Sequence, residues 1–293
     1  MRSDFCVFVL SHGRPDRQYT MSLLRRRGYT GRVYLVIDDE DSCRDEYVRI
    51  YGKDRVLIFS KKAVAKKIDL ADNFDGHKTV MLARNACWEL ADLVGVRYFV
   101  ELDDDYSDFA YRYNDRMETD WKGVRDADGM FDMLVEFMES VPACSTIAIT
   151  QGGDWVGGGA SCSLGHGLTL TRKAMNSFLC DTRRPFKFQG RINEDVNAYV
   201  GQGNVGRLFF TYNGFQLTQV VTQEKSGGLT EMYRELGTMT KSFYSVMFCP
   251  SAVKIWLMSN KNKNARQRIH QLVLWNNAVP KILPERVRKI DAD

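Results

Sequence analysis

Short, continuous apolar runs alternate with polar turns and with stretches of helical periodicity in the N-terminal third of the chain. Such runs are typical of strands that are buried in a parallel sheet. They occupy residues 5–10, 33–37, 56–59 and 97–102. Residues 19–27 and 79–93 instead repeat apolar positions at the spacing of a helix. Strands that alternate with helices predict βαβ units, and therefore an α/β fold with a Rossmann-like, mostly parallel sheet flanked by helices.

The pattern becomes mixed in the second half of the chain. Residues 127–140 and 172–179 have helical character, and a further helix begins at 193, where Asn193 is a candidate cap. Residues 209–221 are strand-like, either as an antiparallel pair or as one long strand. A glycine-rich stretch at 151–159 predicts a loop that lines a site.

Length and composition are those of an ordinary globular protein. The 293 residues, 44% hydrophobic and 27% charged, suit one α/β domain or two closely packed sub-domains. No apolar run approaches the roughly 20 residues that span a bilayer, so we expect a protein without a membrane segment. The seven cysteines form no CxxC pair, which favours reduced thiols in a cytoplasmic protein over a disulfide framework.

The net charge of +4 is unevenly distributed. From Lys254 to the end of the chain, nine basic residues are accompanied by only three acidic ones. We predict that this stretch is a basic, helical segment that contacts a polyanionic partner. The alternative is a cationic helix that is simply solvated.

Three consecutive aspartates, Asp103 to Asp105, follow the apolar run at 97–102. Ligands of open α/β sheets bind beside the carboxyl ends of the strands, where this triplet is expected to lie. On an extended backbone the outer two side chains point the same way, so Asp103 and Asp105 can bind one Mn²⁺ or Mg²⁺ ion. The ion would leave coordination positions for water and phosphate oxygens. The alternative is an acidic surface turn.

A second pair of carboxylates, Glu194 and Asp195, stands at the predicted helix start. A transfer to a hydroxyl group needs a base, and Asp195 is the first candidate, with Glu194 second. The alternative is that both acids simply interact with the helix dipole. Asp38 and Asp39 end the second strand and could accept hydrogen bonds from a base or a ribose.

Isolated histidines and the helix before the triplet give weaker indications. His12 and His166 lie in predicted loops, and His270 is a possible third metal ligand. Arg84 could contact a phosphorylated ligand or face solvent. No GxGxxG follows the first strand and no GxxxxGK[ST] occurs, which argues against a dinucleotide oxidoreductase and a P-loop NTPase.

The order of these motifs resembles that of GT-A fold glycosyltransferases. The segments that carry the resemblance are 7–15, 36–39, 83–85, 100–105 and 193–195. The likeness extends over roughly residues 5–230. More narrowly, the opening segment and the aspartate triplet resemble the TET-associated glycosyltransferases of tailed bacteriophages, relatives of the base J glucosyltransferase that are thought to glycosylate hydroxymethylated pyrimidines in DNA.

The resemblance implies a role for each matching position. Asp38 or Asp39 would hold the uracil and ribose of a UDP-sugar, beside Ser11, His12 and Arg14. Arg84 and Asp104 would approach the donor, Asp103 and Asp105 would bind the metal, and Asp195 or Glu194 would supply the base. The loop that contains Trp155, Gly158 and His166 would line the acceptor, or the donor sugar.

The resemblance also implies an organisation and a reaction. Residues 1–110 would bind the nucleotide sugar, 111–240 would form a mixed acceptor half with catalytic residues, and 241–293 would be the basic helical segment. The enzyme would be a hexosyl- or pentosyltransferase that acts on 5-hydroxymethylcytosine in DNA, within the host cytoplasm if it is encoded by a phage. The alternatives are a GT-A enzyme that acts on a glycan, protein or small molecule, a nucleotidyltransferase, and a non-catalytic nucleic-acid-binding protein.

Overall fold

The computed structural model describes residues 1–72, 79–116, 118–151, 167–220, 240–258 and 268–285. The strands are β1 (Phe5–Leu10), β2 (Arg32–Asp38), β3 (Val56–Phe59), β4 (Tyr98–Asp103), β5 (Tyr106–Tyr113), β6 (Thr119–Gly123), β7 (Cys144–Gln151), β8 (Leu168–Thr169), β9 (Ser177–Asp181), β10 (Leu208–Gln219), β11 (Val253–Met258) and β12 (Arg268–Val273). The helices are α1 (Tyr19–Arg26), α2 (Arg44–Tyr51), α3 (Lys61–Ala65), α4 (Val80–Val94), α5 (Ala127–Ser140), α6 (Glu194–Asn204), α7 (240–248) and α8 (Trp275–Ala278).

Ten of these strands form one sheet, whose main path runs β3-β2-β1-β4-β9-β7-β10-β5-β6. The strands from β3 to β4 are all parallel, and β7 also pairs with β10 in parallel. The remaining pairs are antiparallel, so the second half of the sheet is mixed. This arrangement confirms the predicted α/β fold, in which a parallel half of the central sheet is followed by a mixed half.

Strand β1 shows why continuous apolar runs predict this architecture. Its side chains alternate between two cores, because successive side chains of a strand point to opposite faces. Cys6, Phe8 and Leu10 belong to the core that contains residues of α4 and α6. The intervening residues, Phe5, Val7 and Val9, pack with residues of α1 and α5. Both faces of the sheet are therefore covered by helices.

Helix α4 has well-defined ends. Thr79 begins it by accepting a hydrogen bond at its hydroxyl oxygen from the backbone N–H of Met81, at 3.2 Å. Gly95 ends it with a φ of 69°, a left-handed conformation that glycine adopts without a steric penalty. Within the ranges given above, no helix is long and apolar enough to span a bilayer.

Two features of the second half differ from the prediction or decide between its alternatives. Residues 209–221 were open to two interpretations, and the structure has one long strand, β10, with a register shift between Tyr212 and Gln216 where it pairs with β7. The helix predicted at 172–179 is wrong, because β9 occupies Ser177–Asp181. The residues of β9 are buried throughout, and the strand lies between β4 and β7. This tertiary pairing overrides the weak local preference for a helix.

The basic C-terminal segment is not purely helical. Helices α7 and α8 are present, but β11 and β12 form a separate antiparallel pair between them. The sequence of β11 alternates Val253, Ile255 and Leu257 with Lys254 and Trp256, which is the period of a half-buried strand. The predicted helix rested on the charges of this segment, whereas the period of two in residues 253–257 indicates a strand.

Residue Phe131 of α5 offers a test of the core between α5 and the sheet. Its buried ring lies 5.4 Å from that of Phe5 and 5.6 Å from that of Tyr29, measured between centroids. We expect Phe131→Ala to lower the free energy of unfolding by about 3–5 kcal/mol, because it leaves a cavity. Urea denaturation measures this loss.

The matched control for this prediction is Met133→Ala. Met133 lies on the same helix but is 37% exposed. Its truncation should change the free energy of unfolding by less than about 1 kcal/mol. Similar losses for the two variants would contradict the assignment of Phe131 to the core.

Candidate active site

The predicted site residues of the N-terminal half meet at one edge of the sheet. In the parallel register, Leu10 at the end of β1 lies opposite Val36 of β2 and Asp103 of β4. The loop after β1, the end of β2 and the aspartate triplet therefore leave the sheet side by side. This is the edge at which ligands of open α/β sheets bind.

A single buried arginine connects three carboxylates at this edge. Arg84 of α4 is 1% exposed, and its guanidinium lies 3.4 Å from Glu101, 3.1 Å from Asp103 and 3.3 Å from Glu194, measured between nitrogen and oxygen atoms. The guanidinium carbon also lies 5.1 Å from the ring centroid of Phe178. The alternative of a solvent-facing Arg84 is wrong, because α4 directs this side chain into the protein.

Burial raises the pKa of every carboxyl group in this cluster. The pKa of Glu101 is raised to about 8, that of Glu194 to about 7 and that of Asp103 to about 6, and Arg84 opposes each shift. Asp105 contributes to the shift of Asp103 through like-charge repulsion. Burial also raises the pKa of Asp195. The cluster has more acidic groups than Arg84 can neutralise, so it favours protons or an additional cation.

Asp104, the middle residue of the triplet, contacts a different set of residues. Its carboxylate accepts a hydrogen bond of 2.6 Å from the Ser11 hydroxyl and lies 2.9 Å from the Arg14 guanidinium. Gln18 donates to the Ser11 hydroxyl oxygen at 2.7 Å, and the Tyr47 hydroxyl lies 2.6 Å from the same oxygen. Burial raises the pKa of Asp104 to about 6. Asp103 and Asp104 thus have separate partners, in keeping with the alternation of a strand.

The end of β2 distinguishes Asp38 from Asp39. Asp38 is buried and lies 2.8 Å from Nδ1 of His12 and 2.9 Å from Nζ of Lys61. Although burial raises the pKa of Asp38, the hydrogen bonds from His12 and Lys61 outweigh it and the pKa is lowered. The hydrogen bond to Asp38 raises the pKa of His12. Asp39 is exposed and accepts a 2.9 Å hydrogen bond from the backbone N–H of Lys61 at the start of α3.

Helix α6 delivers the second pair of acids to the cluster. Glu194 is buried against Arg84, whereas Asp195 is half-buried and accepts a 2.8 Å hydrogen bond from the N–H of Val196. Asn193 does not cap this helix as predicted; it has a φ of 57° and no side-chain capping bond. Its amide instead donates to the carbonyl oxygen of Lys241 in α7 at 2.8 Å. Sequence spacing gives no sign of this contact.

The remaining predicted residues fall into three groups. Asp105 lies beside β10, where its carboxylate accepts a 3.3 Å hydrogen bond from Gln219. His270 lies on β12, and its Nδ1 is 2.8 Å from the carbonyl oxygen of Gln271. Trp155, Gly158 and His166 lie outside the described residues. No group of three or more His, Cys, Asp and Glu side chains within the described ranges is arranged to hold a metal ion.

Sequence reasoning missed several residues of this edge. Lys61, Gln18 and Tyr47 each bind a predicted site residue, as described above. Asp41 also belongs here, since it accepts a 2.8 Å hydrogen bond from the N–H of Gly13. Asp41 extends the acidic run that ends β2, so the run itself was a signal. Tyr47 and Lys61 are ordinary helix residues and Gln18 directly precedes α1, and none of the three belongs to a local pattern.

Comparison with known proteins gives a family match and distant structural likenesses. The family model described as "TAGT: TET-Associated Glycosyltransferase" matches residues 5–228, which is more than half of the chain. No curated protein matches the sequence. The chain is similar to S. aureus TarS 1-349 at 10% identity and a TM-score of 0.39, over 75% of this chain and 61% of that one.

A second solved structure is glucosyl-3-phosphoglycerate synthase from Mycobacterium tuberculosis in complex with Mn²⁺, UDP-glucose and phosphoglyceric acid. It is 11% identical to this chain, with a TM-score of 0.44, over 97% of this chain and 91% of that one. The chain thus spans less than two thirds of TarS 1-349 but nearly the whole of the synthase.

Replacement of Arg84 tests the cluster. Arg84→Met leaves Glu101, Asp103 and Glu194 without their shared cation, and we expect the free energy of unfolding to fall by about 3–5 kcal/mol near pH 8. The deficit should shrink towards about pH 5. Arg84 lowers the pKa of each of these carboxyl groups, so its loss raises the pKa further, and the folded variant gains more from binding protons on acidification than the unmodified protein does. Urea denaturation at several pH values measures both effects.

The control for this prediction is Arg49→Met on α2, where the arginine side chain is 72% exposed. Its loss should cost less than about 0.5 kcal/mol at every pH. A deficit for Arg84→Met that grows on acidification would contradict the electrostatic account of the cluster.

Proposed function

The chain belongs to the TET-associated glycosyltransferase family, and from this premise we propose that it transfers a sugar from a UDP-sugar to a hydroxymethylated pyrimidine in DNA. The enzyme is a glycosyltransferase by family; the donor, the acceptor and the cation are our proposal. The observation that carries it is the Arg84 contact, which holds Glu194 of α6 against Asp103 at the exit of β4. Acids from distant parts of the sequence are thereby held at one point.

The donor is proposed to bind along the edge formed by β1, β2 and β4. Asp38, held between His12 and Lys61, has acceptor oxygens at the strand end and would hold the ribose and uracil. Ser11 and Arg14 would contact the nucleotide from the adjacent loop, where both bind Asp104. Asp39, exposed at the start of α3, is the less favoured of the two strand-end acids.

A divalent cation fits the chemistry of the two outer aspartates. Burial raises the pKa of Asp103 and repulsion from Asp105 adds to this shift, and a hard cation such as Mn²⁺ or Mg²⁺ would relieve the repulsion. We propose that Asp103 and Asp105 hold this cation and that water and the donor diphosphate complete its ligands. The bound cation would neutralise charge on the departing diphosphate.

Asp195 is the residue that we assign as general base. Glu194 is paired with Arg84 at 3.3 Å, whereas Asp195 is half-buried and has a pKa that burial raises above its ordinary value. Its carboxylate would take the proton of the acceptor hydroxyl while that oxygen forms a bond to the anomeric carbon of the sugar. The bond from that carbon to the phosphate oxygen breaks, and its electron pair leaves with UDP. Glu194 would act as a positioning residue, through Arg84.

The decisive experiment uses DNA that contains 5-hydroxymethylcytosine, Mn²⁺ and a panel of UDP-sugars, with mass analysis of the released nucleosides. We expect the hydroxymethylated nucleoside to gain the mass of one hexose or pentose. Asp195→Asn should lower the transfer rate about 10²- to 10⁴-fold, because the amide cannot accept the proton.

The control variant is Asp92→Asn, which changes an exposed acid of α4 outside the cluster. Its transfer rate should match that of the unmodified protein. Hydrolysis of the UDP-sugar without a mass gain on any nucleoside would indicate a glycan, protein or small-molecule acceptor instead. Full activity of Asp195→Asn would show that the base is another residue or that the reaction needs none.

The affinity for Mn²⁺ should depend on pH. Because the pKa of Asp103 is raised to about 6, protons compete with the ion below that value. We expect the dissociation constant to increase by about tenfold for each pH unit below about 6. Isothermal titration calorimetry on the full chain measures this constant. Asp103→Asn should bind weakly at every pH, whereas Asp92→Asn should follow the unmodified protein. An affinity that is unchanged between about pH 5 and 7 would exclude Asp103 as a ligand.

A further inference from the structure

The C-terminal part of the chain has a long stretch without acidic residues. Residues 236–284 contain neither Asp nor Glu. The basic residues of this stretch are Lys241, Lys254, Lys261, Lys263, Arg266, Arg268 and Lys281. A stretch of this composition attracts polyanions and repels a second copy of itself. It also lies beyond residues 5–228, the part that matches the family.

Strands β11 and β12 form a ribbon within this stretch, and one of its faces is turned to solvent. Residues that pair directly across an antiparallel ribbon share a face, so Lys254 stands beside Leu272, and Trp256 beside His270. Trp256 is 58% exposed and Leu272 is 38% exposed, and Lys254 is exposed as well. An aromatic ring and a cation therefore stand together on the outer face.

The opposite face attaches the ribbon to the rest of the protein. Val253 is buried, and the buried side chain of Gln271 accepts a 3.3 Å hydrogen bond from the Ser242 hydroxyl of α7. Immediately after the ribbon, the ring of Trp275 stacks on that of Tyr199 in α6, with 5.6 Å between centroids. The ribbon is thus fixed, through α7 and α8, to the helix that carries Glu194 and Asp195.

We propose that the outer face of this ribbon docks on duplex DNA. Lys254 would contact a backbone phosphate, and Trp256 would pack against the adjoining groove. A two-stranded antiparallel ribbon has the width to enter the major groove of B-form DNA. The choice of DNA as partner rests on the proposed function. Charge complementarity supports it independently, because a symmetric dimer through this face would set basic residues against basic residues.

The test measures binding of the full chain to a fluorescent DNA duplex, over a range of salt concentrations, with no sugar donor present. Trp256→Ala should weaken binding about tenfold, as expected for a central aromatic contact. Lys254→Ala should weaken it by a smaller factor and reduce the slope of log K against log salt by about 0.9. Because no donor is present, the result does not depend on whether sugar is transferred to DNA.

The sequence offers a matched control pair on β6, the outermost strand of the main sheet. Trp121 is 51% exposed and Lys122 is also exposed. Trp121→Ala and Lys122→Ala should leave the affinity for the duplex and its salt slope unchanged. Circular dichroism determines whether each of the four variants is folded. If Trp256→Ala is unstable, Lys254→Ala still tests the proposal, because it alters only an exposed side chain.

Three results would overturn the proposal. The first is a loss of duplex binding in the β6 variants but not in the ribbon variants. The second is weaker binding of the ribbon variants to vesicles of phosphatidylserine and phosphatidylcholine, with duplex binding unchanged, which would assign the face to a membrane surface. The third is a self-association, seen by sedimentation velocity, that only the ribbon variants lose.

Discussion

The pairing of one buried guanidinium with three carboxylates is the constraint on which the candidate site depends. Arg84 is supplied by α4, Asp103 by the end of β4 and Glu194 by α6, so the three elements can pack only when these charges meet. A buried cation without partners would cost several kcal/mol, and so would the buried acids without the cation. The cluster therefore fixes the separation between the strand that carries the triplet and the helix that carries Asp195.

On the other side of β4, a neutralising network of similar design holds the loops. Asp104 binds Ser11 and Arg14, and Asp38 binds His12 and Lys61. The consecutive residues Asp103 and Asp104 thus bind partners on opposite sides at the end of β4. These polar contacts help to order the loops, and a ligand with phosphate or ribose groups can exchange for them at little cost in buried polar groups.

The parallel half of the fold and the acidic edge were predictable because their signals are local. An apolar run such as 5–10 followed by a polar turn indicates both the strand and the place where it ends. The ion pairs of Arg84, the strand β9 and the contact from Asn193 to Lys241 were not predictable, since each depends on tertiary contacts between distant segments. The ribbon of β11 and β12 lies between these cases. Its period of two is visible in the sequence, but the predicted helical segment rested on the excess of basic residues instead.

The hydrogen bond from Asn193 to the carbonyl of Lys241 ties the start of α6 to a segment outside residues 5–228. The boundary of the family match is consequently not a boundary of the folded unit. A chimera that exchanges the C-terminal region between relatives would have to carry α7 together with the turn that precedes Glu194. In terms of modular architecture, the ribbon and α6 belong to one structural unit, although more than forty residues separate them in the sequence.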